Sequence, residues 1–71
     1  MNNYTFIKDN NSIIRTALRE NKVYLWELAY ILGVSESTVM RWMGKDHSEE
    51  EQLHIAEMIL EYAKNRKREV E

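Results

Sequence analysis

Apolar positions recur along this chain with helical spacing in four places. Ile13, Ile14, Ala17 and Leu18 fall at i, i+1, i+4 and i+5, the spacing of one helical face. They predict a first helix over residues 12–21, with Asn10 or Asn11 as its cap. Arg15, Arg19, Glu20 and Lys22 lie largely off that face, and Val23 anchors the turn that follows. Leu25, Leu28, Ala29 and Leu32 predict a second helix over residues 25–32. Val39, Trp42 and Met43 are the inward side of a third, over residues 36–44, whose outward side is centred on Ser37 and Arg41, with Thr38, Met40 and Lys45 flanking. Ser48 to Glu51 has the S-x-x-E form of a capping box. It opens a fourth helix over residues 48–67, with Leu53, Ala56, Ile59, Leu60 and Ala63 as core stripe and Ile55, Met58 and Tyr62 as a second stripe.

The junction between the second and third helices is the most informative stretch. Ala29 is small where two helices cross closely. Gly33 can take the left-handed conformation that ends a helix. Val34 is expected to plug the bend, and Ser35 to accept a hydrogen bond from the free N–H groups of the next helix. This is the pattern of a helix-turn-helix, which lets the second of its helices project from the surface. Trp26 and Tyr30 sit i, i+4 on a second side of the second helix. A helix apolar nearly all round is buried on more than one face, so those rings need cover from the N-terminal segment, the last helix or another subunit. Tyr4, Phe6 and Ile7 make residues 1–11 too apolar for a free tail, and part of that segment is expected to pack on the rest.

The absence of proline and the presence of just two glycines favour an all-α chain with short connections, a compact four-helix bundle with a long C-terminal helix. Seventy-one residues make one domain, 1–71, near the lower limit for a self-sufficient core. Without cysteine there is no disulfide to help, so a homodimer is expected. No signal peptide and no membrane-spanning run is recognisable, and the expected location is the cytoplasm. The net charge of −2 is unevenly placed. Residues 12–45 carry Arg15, Arg19, Lys22, Arg41 and Lys45 against Glu20, Glu27 and Glu36; residues 46–63 carry Asp46, Glu49, Glu50, Glu51, Glu57 and Glu61 with no lysine or arginine. The helix-turn-helix stretch is thus mildly basic, which permits nucleic-acid binding.

Leu28, Ala29, Leu32, Gly33, Val34, Ser35, Val39 and Trp42, with Ile14, Leu18 and Val23 upstream, make residues 12–62 resemble the phage-repressor and Cro-like family of helix-turn-helix proteins. Many small proteins of that type occur on phages and bacterial mobile elements. The resemblance implies a DNA-binding transcription regulator such as a repressor. Its third helix would enter the major groove, and a homodimer would read two half-sites about 34 Å apart. Arg41 would then donate to a guanine edge, Glu36 accept from cytosine N4, Met40 touch a thymine methyl, and Ser37 and Thr38 meet bases or phosphates. Lys22, Tyr24 and Lys45 would contact phosphates. Leu25 stands where the family usually places a polar, phosphate-touching residue.

A different class of function uses the same fold to bind another protein, as an anti-repressor, an antitoxin or an inhibitor does. The acidic block and the extra apolar side of the second helix favour it. Under either reading Trp26, Tyr30, Ile55, Met58, Ile59 and Tyr62 are the candidate dimer or partner interface. No nucleophile–base pairing, phosphate-binding glycine loop or metal-ligand cluster is present, since His47 and His54 stand without adjacent ligands. Neither an enzyme nor a cofactor is expected.

Overall fold

A computed structural model describes residues 10–70, with side chains described as far as Arg66. Four helices follow one another: α1 (Ser12–Glu20), α2 (Leu25–Leu32), α3 (Glu36–Met43) and α4 (Glu49–Val70). The expected packing of Tyr4, Phe6 and Ile7 lies outside the described residues. α1 packs on α4, α2 on α3, and α2 also on α4. Ile14, Leu18, Val23, Leu28, Ala29, Val39, Met43, Ile59 and Ala63 form the buried core, so every helix contributes. The fold is therefore all-α, with a helix-turn-helix across α2 and α3 and a long C-terminal helix.

Helix ends explain where each element stops. α1 ends with Lys22 in the left-handed region, φ 56°. The Val23 N–H then donates to the Leu18 carbonyl at 2.9 Å and the Lys22 N–H to Arg19 at 3.2 Å, which satisfies two otherwise orphaned carbonyls. α2 ends the same way with Gly33 at φ 73°, and the Val34 N–H reaches the Ala29 carbonyl at 3.0 Å. At the start of α3 the Ser35 hydroxyl accepts from the Thr38 N–H at 3.2 Å. The capping box of α4 forms as expected, with the Glu51 N–H on the Ser48 hydroxyl and the Ser48 N–H on the Glu51 carboxylate.

Four expectations need correction. Asn11 does not cap α1 with its side chain. It is buried, and its amide donates to the Met43 and Lys45 carbonyls at 3.0 and 2.7 Å while its oxygen accepts from the His47 N–H at 3.0 Å. The start of α1 is served from α4 instead, where the Gln52 oxygen accepts from the Ile13 N–H at 3.0 Å. Next, α4 is rotated from its expected phase. Leu53 and Leu60 point outward, 50% and 46% exposed, while Gln52, Ile59 and Ala63 line the interior. Gln52 goes inside because both ends of its amide are used, the oxygen by Ile13 and the nitrogen by the His47 carbonyl at 2.9 Å. Finally, Val34 is largely exposed and does not plug the bend; the backbone bond from its N–H closes the turn instead. Trp42, expected in the core, is half-buried and stacks on the His47 ring, centroids 3.8 Å apart.

Candidate nucleic-acid interface

α3 presents one polar face to solvent. Glu36, Ser37, Thr38, Met40 and Arg41 are all exposed, while Val39 and Met43 are buried behind them. The arrangement follows from helical geometry, since 39 and 43 are one turn apart and 37 and 41 lie on the opposite side. Thr38 is partly occupied: its hydroxyl lies 2.9 Å from that of Ser35. Arg41 forms no ion pair among the described residues. Its guanidinium keeps all of its planar donors available, the geometry that matches a guanine edge or a phosphate.

The expected phosphate contacts flank this face. Lys22, Tyr24 and Lys45 are exposed. A cavity of about 340 Å³ lined by Asn10, Arg15, Leu25, Met40, Met43 and Gly44 meets a groove of about 640 Å³ lined by Arg15, Leu18, Arg19, Lys22, Val23, Tyr24 and Leu25. Arg15 and Leu25 line both. Met40 of α3 and the Lys22–Tyr24 turn therefore belong to one continuous surface. Arg15 and Arg19 join it, which their position off the core face of α1 hinted at but did not establish. Arg15 is held there by the Asn10 carbonyl and side-chain oxygen, at 2.8 and 3.2 Å. Among the described residues, no acid lines either hollow.

A buried ionic cluster fixes the opposite side of α2. Glu27 is nearly inaccessible. It accepts from the Tyr24 N–H at 3.0 Å, the Tyr62 hydroxyl at 2.7 Å and the Arg66 guanidinium at 2.8 Å. Burial by itself pushes the Glu27 carboxyl up, but the three donors and the Arg66 charge outweigh it and hold the group below the usual carboxylate range. The hydrogen bond to that carboxylate raises the Tyr62 hydroxyl, and burial adds to the effect. Arg66 also donates to the Asn21 carbonyl at 2.9 Å, so it ties the end of α1 to the base of α2. The hydrophobic pattern does not announce this cluster. The one available signal was that Glu27 is the sole charge in α2.

The expected interface residues separate into two groups. Trp26 and Tyr30 remain 58% and 74% exposed, flanked by α4 but not covered by it. Ile59 is fully buried in the core, in keeping with its place in the expected core stripe, and leaves the interface. Ile55 and Tyr62 are half-buried and pack on the core, and Met58 is half-buried as well. His47 is held by the Trp42 carbonyl at 2.8 Å and faces Glu51 at 3.3 Å. Among the described residues, no group of three or more His, Cys, Asp or Glu side chains gathers as metal ligands.

Fold and surface together define a small all-helical protein with a helix-turn-helix and a mildly basic face around its third helix. No protein-family model matches the chain, nor does any curated protein or solved structure. Among the described residues, no helix is long and apolar enough to cross a membrane.

Proposed function

We propose that this protein is a sequence-specific DNA-binding transcription regulator that acts as a homodimer and reads the major groove with α3. The observation that carries the reading is the continuity of the α3 face with the Arg15–Arg19–Lys22 groove. Met40, one of the side chains assigned to base reading, lines the hollow that shares Arg15 and Leu25 with the groove of Arg19, Lys22 and Tyr24. Five exposed acids, Glu49, Glu50, Glu51, Glu57 and Glu61, sit on α4, which packs on α1 and α2. The overall charge of −2 thus does not describe the face proposed to meet DNA.

In this reading Arg41 specifies and Lys22, Lys45 and Tyr24 position. Arg41→Ala is expected to weaken binding by about 1–3 kcal/mol and to relax preference at one base pair. Lys22→Ala is expected to weaken binding to all duplexes alike and to lower the salt slope by about one. Selection from a random duplex library followed by salt titration measures both. Absence of salt-dependent binding to any duplex rejects the reading. The exposed Trp26 and Tyr30 favour a second reading, a protein-interaction module of the anti-repressor, antitoxin or inhibitor kind. That reading gains ground if DNA binding fails while the aromatic surface still captures a defined partner.

A further inference from the structure

The aromatic surface on α2 is the largest departure from an ordinary solvated exterior. Trp26 and Tyr30 border a cavity of about 420 Å³ whose other walls are Tyr62, Asn65 and Arg66 of α4. The Tyr30 and Tyr62 rings lie 6.2 Å apart and tilted by 59°. Arg66 lies 5.5 Å from the centroid of Tyr62. Among the described residues it is the one formally charged side chain lining the cleft, and its charge is already matched by Glu27 at 2.8 Å.

We propose that this cleft is the surface through which two copies of the chain pair, related by a twofold axis near Tyr30. The proposal rests on the DNA-binding reading, for which it supplies a contact between the two copies.

Charge selects the occupant. A twofold contact sets each patch against itself, so a patch of unmatched like charge repels its copy. Among the described residues, the outward leucines of α4, Leu53 and Leu60, share their helix surface with Glu57, Glu61 and the single cation Lys64, a net negative patch. Pairing there brings acids toward acids. Among the described residues the α2 cleft carries no charge beyond Arg66, which Glu27 matches, so a second copy meets it without that penalty. Area sets the strength. The exposed parts of the two rings amount to about 300 Å² on each protomer. The two patches together total about 600 Å², below the roughly 1,200 Å² at which stable specific interfaces begin, so the contact belongs to the weak, transient class. The expected dimer is therefore weak, forming in the micromolar range and strengthened when a two-half-site duplex holds both copies.

Sedimentation equilibrium of the full chain from low to high micromolar concentration tests this. The expected result is a monomer–dimer equilibrium that Trp26→Ala and Tyr30→Ala each shift at least tenfold toward monomer, with helical circular dichroism unchanged. Tyr30→Asp and Tyr30→Lys should each be monomeric alone and should pair when mixed, which a structural defect would not produce. A wild-type chain that stays monomeric at every concentration overturns the proposal. A dimer that survives both alanine substitutions, or a mixture that fails to pair, also overturns it. Binding to a single half-site duplex, followed by its salt slope, tests the DNA reading separately because it needs no dimer.

Discussion

Glu27 shows how much can depend on one side chain in a chain this short. Its carboxylate joins the turn before α2 to two residues of α4. Arg66 keeps the Asn21 carbonyl and partial contact with solvent, so Glu27→Ala mainly orphans the Tyr24 N–H and the Tyr62 hydroxyl and is expected to lose about 1–3 kcal/mol in urea unfolding. Because the folded state holds this carboxyl below its ordinary range, its stabilisation is complete above the unfolded value and is lost as pH falls through the depressed folded value. Wild-type stability should therefore decline below roughly pH 4, and Glu27→Gln should flatten that decline. Two other residues differ in an instructive way. Gly33 and Lys22 take the same left-handed role at helix ends, but one lacks a Cβ. Gly33→Ala is expected to cost about 1 kcal/mol, and Lys22→Gly to add up to about 1 kcal/mol. If Lys22 also holds a phosphate, Lys22→Gly will raise the melting temperature while lowering DNA affinity, and the two measurements together separate its roles.

At the scale of elements, the helix boundaries were readable because short-range chemistry sets them. Gly33, Ser35 and the Ser48–Glu51 box act within one turn of chain. The rotation of α4 was not readable in the same way. Hydrophobic pattern alone gave Leu53 and Leu60 the same claim to the interior as Ile59. Gln52 and Arg66 decided the matter, and their partners lie 39 positions away, in Ile13 and Glu27. Gln52→Ala is expected to cost about 2–3 kcal/mol by leaving the Ile13 N–H without its acceptor. Leu53→Ala and Leu60→Ala should each stay within about 0.5 kcal/mol. Thermal melts of the three variants check the phase directly.

For the whole molecule, the arrangement of α4 matters more than its length. The start of α4 serves the start of α1, through Gln52 and Ile13, and its far end serves the end of α1, through Arg66 and Asn21. The two helices therefore run in the same direction, with α2 and α3 closing the remaining sides. The exposed face of α3 was legible, since helical periodicity places 37 and 41 opposite 39 and 43. The groove was legible only in pieces. Arg15 and Arg19 become neighbours of Tyr24 and Leu25 through packing, and no local pattern announces that.

Asn11 gives this architecture a mechanical consequence. Its side chain spans from the head of α1 to the carbonyls at the tail of α3 and to the connection beyond. α3 is consequently anchored at both ends: by the Ser35 turn at its head and by this amide strut at its tail. The pitch of α3 against the body is set by two supports rather than by one joint. Asn11→Ala should leave the helices intact while speeding amide exchange in the last turn of α3, and that end should then swing. A regulator built this way would lose discrimination between related operators before it lost the ability to hold DNA.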